Sequence, residues 1–520
     1  MSNLEAITMP SPQSREASTS RRWLWGGYIF IGFFFLTRLL YLASGTIELT
    51  EDEAYQWLWS KHLALSYYSK PPLIAYAQFA STSLWGDNEF GIRFLSPVLA
   101  ALLSLLMLRF MAAEARARAG FWLIVILAAT PLTALGSTLL TVDSLSVFFW
   151  VASLVAGWRA LRTGSLKNWV CTGVCLGLGF LSKYTALFQL LSWALFFFIW
   201  PPARAHLRRP GPYLALAILV LGVMPVIWWN SQNGWLTLTH LSERGGLNQH
   251  WRFRPRFFGE FLLSEAGLLN PIFFAAMLWA VAASWFLAQR QPLALYLLAM
   301  GVPVFAFYLL YTLRARVLPN WIAPAVVPLF ALMVIFWEQR SLSGSRGVKR
   351  WLAAGLVLGF AAVGLLHATE VVKPLFGSYL PAKIDPLHQV RGWREIALML
   401  ENERQKILQE GRPVFFIMDH YGTTSEISFY NAAAKQRVQK EPLVYYLRST
   451  RPGNQFFFWP GYEHRKGENA LYVRERDDPL PPPPSLVADF RSVTDLGMRE
   501  AFYFGRPFRR FQLYMCRDLR

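Results

Sequence analysis

The sequence predicts an α-helical polytopic membrane protein of about eleven spans, followed by a C-terminal α/β domain. Of its 520 residues 54% are hydrophobic and only 16% charged, too few charges for a water-soluble surface of this size. Apolar runs long enough to cross a bilayer recur over roughly the first seventy per cent of the chain. From about residue 370 these runs stop, and short strand-like and amphipathic segments replace them.

Residues 1–22 are polar and Ser-rich and end in Arg21-Arg22, as expected of a cytoplasmic tail. The apolar run that follows is too long for the h-region of a cleaved signal and reads as a retained span. The expected spans are 23–43, 92–111, 120–137, 142–160, 168–182, 185–201, 212–229, 266–288, 293–311, 319–337 and 350–368. Ser182-Lys183-Tyr184 interrupts an otherwise continuous stretch between the fifth and the sixth. Gly173, Gly177 and Gly179 in "GVCLGLGF" suit close helix packing.

The net charge of +19 does not imply nucleic acid, because the bases lie mostly in short loops between spans. With a cytoplasmic N-terminus, every inside loop is basic: Arg116/Arg118, Arg159/Arg162/Lys167, Arg204/Arg208/Arg209, Arg290 and Arg340/Arg346/Lys349/Arg350. Eleven spans then make 23–369 the membrane module and put 370–520 on the outside. There, "RPVFFIMDHYGTTSEISFYNAA" reads as strand, turn and helix, "NALYVRER" and "RRFQLYMCRD" as strands, and "DDPLPPPPSL" as a connector. Cys171 and Cys175 share one span and Cys516 is unpaired by spacing, so no disulfide framework or metal-type cysteine cluster is expected.

The chemistry concentrates on the outer side. The loop 44–91 carries Glu48, Glu51, Asp52 and Glu53, a run of aromatics that suits an interfacial helix, and then Lys70-Pro71-Pro72. Asp143 falls at the outer end of the fourth span, where a dipole-favoured acid at a helix start is the competing reading. Lys183, Arg244, Arg252, Arg254, Arg256, Arg314 and Arg316 place bases where the positive-inside rule does not ask for them. Carboxylates beside bases at a bilayer surface suit transfer of a sugar from a lipid phosphate. The phosphate leaves without a general acid, cations stabilise its growing charge, and a carboxylate takes the proton of the attacking hydroxyl. By analogy with inverting glycosidases, one base opposite the leaving group suffices.

Several motifs support this reading: "EDEAYQWLW" (51–59), "YYSKPPL" (67–73), "NEFGIRFLS" (88–96), "TVDSL", "LSKYTAL", "PNWIAP" (319–324), "SEISFYNA" and "NQFFFW". In their order and placement the chain resembles the GT-C membrane glycosyltransferases, in particular lipid A aminoarabinose transferases and relatives of the protein O-mannosyltransferases. The resemblance implies an inverting transferase at the periplasmic face of a bacterial inner membrane. Its donor would be a polyprenyl-phosphate sugar, and its acceptor lipid A, a glycan or a protein hydroxyl. It implies Asp52 as the catalytic carboxylate, with Glu53 as an alternate or orienting acid and Asp143 as the second acidic position. Lys70 and Lys183 would hold the donor phosphate, joined by Arg314 or Arg316. Arg93, His240 and Arg244 are further candidates for substrate binding. Glu89 and Arg93 either form an ion pair orienting the second span or each serve the site. Aminoarabinose transferases carry a metal-binding acid just before Lys-Pro-Pro, paired with a histidine in a later outer loop. Here that position is Ser69, although His240 and His250 follow, so no metal or other cofactor is expected to be required. A lipid-linked sugar transporter or flippase is the alternative; it would favour ionisable residues at mid-membrane in broken helices.

Overall fold

The computed structural model describes residues 12–246, 250, 252–287, 291–377, 380–381 and 384–520. A helical bundle leads into a five-stranded sheet domain seated on one of its ends. Among the described residues, seven helices are long and apolar enough to cross a membrane alone: Thr19–Ala43, Glu89–Glu114, Val142–Thr163, Pro210–Gln232, Pro292–Tyr311, Pro319–Ser341 and Arg346–His367. The number is nine if two bent pairs each count as one, so length and composition do not return the expected eleven.

The shortfall has local causes. The run 120–137 is broken where Thr130-Pro131 ends the helix Ala117–Ala128 and starts Pro131–Gly136, since proline disfavours helical backbone in the residue before it. The run 168–182 is a helix of only 17 residues, Leu166–Ser182. Trp200-Pro201-Pro202 turns the chain by 114° after Ile199. Asn270, in the left-handed region at φ 69°, turns it by 112° between Leu268 and Pro271. The amide of Asn270 steadies that corner, donating to the Gly355 carbonyl at 2.7 Å and accepting from the Ile272 N–H at 3.1 Å.

The bundle packs around Tyr296, which is fully buried among Trp158, Trp193 and Phe196. Its hydroxyl donates to the Leu154 carbonyl at 2.8 Å, so the buried polar tip is satisfied. Gly173 lets two helices meet closely, because a Cβ there would lie 2.7 Å from the Ala215 carbonyl oxygen.

The C-terminal sheet consists of β1 (Val414–Met418), β2 (Val444–Tyr446), β3 (Asn469–Glu475), β4 (Phe490–Tyr503) and β5 (Arg506–Leu519), in the order β2-β1-β3-β5-β4. β1 pairs in parallel with β2 and β3, whereas β5 pairs antiparallel with β3 and β4. Buried on all five residues, β1 reads as a continuous apolar run, as a central parallel strand should. The helix Tyr421–Tyr430 after it packs onto the first loop of the membrane module.

Candidate active site

The loop 44–91 folds into the helices Glu51–Lys61, Leu73–Trp85 and Glu89–Arg93. Thr50 and Glu53 form a capping box at the first of these: the Glu53 N–H donates to Thr50 Oγ1, and the Thr50 N–H donates to Glu53 Oε2. Register then separates the acids. Glu53 points into protein and is fully buried, whereas Asp52 is exposed.

Glu53 and Glu48 are anchors, and Glu51 is packed against the sheet domain. Glu53 receives Arg93 Nε at 2.8 Å, Arg93 Nη2 at 2.7 Å and the Leu140 N–H at 3.1 Å. Glu48 receives the N–H groups of Trp393 at 2.5 Å and Arg394 at 3.4 Å, at the start of the helix Trp393–Leu408. Burial raises its pKa to about 7 against those hydrogen bonds. Glu51 lies against Gly422, where a Cβ would meet its carboxyl carbon at 2.3 Å, with His420 Nδ1 3.8 Å away. Burial pushes its pKa up, and the His420 ring opposes this. Asp52 instead accepts a hydrogen bond from the Tyr421 hydroxyl at 3.2 Å. Burial, then the Asp52 charge, raises the pKa of Tyr421, so its proton is firmly held.

Lys70 is positioned by a turn in which the Tyr67 N–H donates to the Lys70 carbonyl at 3.2 Å. Tyr67 stacks on Trp59 at 4.5 Å and 11°, and its hydroxyl donates to the Trp59 carbonyl. Burial lowers the Lys70 pKa to about 8, assisted by the charges of Lys183 and Arg244 and opposed by Asp143 and Asp52. All four charges therefore act on one ammonium group. Lys183, in extended backbone where the helix Leu166–Ser182 ends, donates to Asp143 Oδ1 at 2.6 Å. The Asn320 amide donates to Asp143 Oδ2 at 2.7 Å. Beside this cluster opens a mainly apolar cavity of about 340 Å³, with Asp143, Thr141 and Asn320 among its polar lining and Phe34, Leu103 and Val147 among its apolar walls.

The remaining candidates divide. Arg244 lies over the Trp321 ring at 5.7 Å, and the His240 ring packs on Tyr68 at 4.8 Å. Burial and the charges of Arg244 and Lys70 lower the His240 pKa. Arg316 is exposed, and Arg314 donates to the Gly246 carbonyl. Arg93 is wholly buried against Glu53, so it faces no open site. Nor does it pair with Glu89, which bonds Arg394 and the Tyr430 hydroxyl instead. Ionic demand explains this correction: among the described residues Glu53 has no other cation, and Arg93 also donates to the carbonyls of Ile47 and Glu48.

Tyr421, Asn320 and Gln455 carry no local signature of a site. Asn320 and Gln455 do lie in the quoted motifs "PNWIAP" and "NQFFFW", but Tyr421 meets Asp52 across 369 residues of sequence.

In solved structures the same architecture recurs. ArnT from Cupriavidus metallidurans, solved in the apo state and bound to undecaprenyl phosphate, matches 94% of this chain with a TM-score of 0.61 in both forms. The match covers 97% and 98% of the ArnT chains at 16% identity. The chain therefore shares the fold of these ArnT structures. Residues 69–229 match the family described as dolichyl-phosphate-mannose-protein mannosyltransferase. The lipid A galacturonosyltransferase RgtD of Rhizobium johnstonii is 30% identical over 309 residues, which are 58% of this chain and 63% of RgtD. An undecaprenyl phosphate-alpha-4-amino-4-deoxy-L-arabinose arabinosyl transferase of Pseudomonas aeruginosa is 27% identical, over 62% of this chain and 59% of its own. The chain thus spans about three fifths of the length of these curated relatives.

The metal implied by the aminoarabinose transferases does not fit this donor set. Ser69 offers a neutral hydroxyl in place of a carboxylate, and among the described residues no three His, Cys, Asp or Glu side chains cluster as metal ligands.

Proposed function

We propose that this GT-C protein is an inverting glycosyltransferase that moves a sugar from a polyprenyl-phosphate donor to a hydroxyl of a lipid A-type acceptor. The observation that carries the reading is that Asp143 and Asn320, hydrogen-bonded to each other and with Lys183 on Asp143, line an apolar cavity, while the charges of Lys183, Asp143 and Asp52 all act on Lys70. The prenyl chain lies in that cavity and its phosphate meets Lys70, Lys183 and Arg244. One oxygen of Asp52 is held by Tyr421, which leaves the other free to take a proton.

The acceptor oxygen attacks the anomeric carbon as the carbon–phosphate oxygen bond breaks. Its proton passes to Asp52, and the bonding electron pair goes to the phosphate, where the cations stabilise it. Because attack and departure are on opposite faces, the configuration inverts. Asp143 orients Lys183, and Glu53 holds the helix that presents Asp52. The end of the bundle that carries the sheet domain faces the periplasm, with the N-terminus in the cytoplasm, as the loop charges favour. Protein hydroxyls and other glycans are the competing acceptors.

The test is purified protein with lipid A and undecaprenyl-phosphate donors carrying galacturonosyl, aminoarabinosyl and hexosyl groups, read by mass spectrometry of the lipid. Transfer of one of these sugars, lost in Asp52→Asn, is the expected result. No transfer from any donor, or full transfer by the variant, would overturn the assignment.

A further inference from the structure

We infer that the C-terminal domain holds a second binding site, a cleft for an anionic saccharide. As the seat of the acceptor's own sugars, the cleft rests on the function proposed above. As a saccharide site, it stands on its own geometry. The cavity, of about 390 Å³, lies beside β2 and the turn Gln455–Phe458, and His62 from the end of the Asp52 helix joins its lining.

Its wall is aromatic. Tyr446 stacks on Phe456 at 5.6 Å and 9°, and Trp459 meets Phe456 edge-on at 5.3 Å. Phe457 is 45% exposed. Its rim is basic. Arg448 is engaged by Glu463 at 3.2 Å and Asp489 at 3.9 Å. Lys440 and Arg451 are exposed and have no carboxylate partner among the described residues. Ring faces left partly bare receive the C–H face of a sugar, while hydroxyls and an acidic substituent reach the polar rim. An aliphatic chain would leave the bases unanswered, and a bare phosphate would leave the aromatic wall empty. A phosphate- or carboxylate-bearing saccharide satisfies both.

The cleft is fastened to the catalytic segment. The Gln455 N–H donates to the Tyr55 hydroxyl at 2.5 Å, and its side-chain oxygen accepts from the Tyr68 N–H at 2.8 Å. The Tyr68 hydroxyl donates to the Pro452 carbonyl at 3.1 Å. Tyr55 in turn contacts Phe456 at 5.5 Å and Tyr421 at 4.8 Å. A sugar seated on Tyr446 and Phe457 is thus registered against Asp52 through contiguous packing, and Tyr68 lies two residues before Lys70.

The probe is fully deacylated lipid A, a glucosamine disaccharide carrying two phosphates, titrated into the full-length protein in detergent by calorimetry. The dephosphorylated disaccharide and inorganic phosphate are the comparison ligands. Saturable binding of the bisphosphate disaccharide is expected. Removing one charge contact with Arg451→Ala or Lys440→Ala should weaken it about tenfold, as should Phe457→Ala. All three side chains are exposed, so folding is preserved. The cleft is overturned by no saturable binding, by binding that ignores all three variants, or by inorganic phosphate competing as well as the disaccharide. Transfer to lipid A without disaccharide binding removes the cleft and leaves the proposed function. Disaccharide binding without transfer does the reverse.

Discussion

Arg93 closes on Glu53 with two hydrogen bonds, Nε to Oε1 at 2.8 Å and Nη2 to Oε2 at 2.7 Å, and neither side chain reaches solvent. Breaking one side of such a buried pair leaves an uncompensated charge, at a cost of about 3–5 kcal/mol. Arg93→Ala is therefore expected to lower the melting temperature sharply, whereas Asp52→Asn, at an exposed position, should leave it near the parent value. Thermal unfolding in detergent checks both. A stable but inactive Arg93→Ala protein would instead give Arg93 a direct role in the chemistry.

The pair also marks where sequence reading stops. Apolar runs and the strands β1, β3 and β5 are local properties, and they are legible in the sequence. Which of four neighbouring acids stays free is not local. Glu48 finds Trp393, Glu51 finds Gly422 and Glu53 finds Arg93, all through tertiary packing. One local signal went unread: Thr50 followed by Glu53 is a capping box that turns Glu53 back on its own helix. The count of eleven spans stays unconfirmed for a related reason. Hydropathy registers an apolar stretch, but not the corner that Asn270 makes within one.

Asp52 and Tyr421 are expected to separate base from positioning group. Loss of a general base costs about 10²–10⁴ in rate, so Asp52→Asn should nearly abolish turnover while donor binding survives. Tyr421→Phe removes one hydrogen bond to a charged group, worth about 1.5–3 kcal/mol. Its kcat should fall at least tenfold with the donor KM unchanged. Steady-state kinetics with varied donor checks this, and a rise in KM alone would reassign Tyr421 to donor binding.

Glu48 should make stability pH-dependent. Its pKa rises from 4.5 unfolded to about 7 in the fold, so the folded chain keeps a proton that the unfolded chain releases. This contribution is fully present below about pH 4.5, declines as pH rises through about 7 and is flat above. Glu48→Gln keeps an oxygen for the Trp393 N–H without a buried charge. It should therefore be at least as stable as the parent at pH 8 and show a smaller loss between about pH 5 and 8. Melting temperatures at the two pH values decide this.

Lys70 should set the upper pH limit of donor binding. Half-buried, with the charges of Lys183 and Arg244 acting on it, its ammonium has a pKa lowered to about 8, well below the ordinary lysine value of 10.5. Below that pH it is charged and ready for an anion; above it the charge must be regained on binding, at the expense of affinity. The dissociation constant of undecaprenyl phosphate should be flat up to about pH 8 and then rise about tenfold per pH unit, until the bound-state pKa is reached. The kcat/KM for the donor, which reports the free enzyme, should fall along the same limb. Lys70→Arg installs a cation that stays charged throughout, so its profile should be flat even where its affinity is lower. Calorimetric titration of undecaprenyl phosphate into the parent and the arginine variant at pH 7, 8 and 9 separates the possibilities. Parallel profiles in the two proteins would assign the titrating group elsewhere.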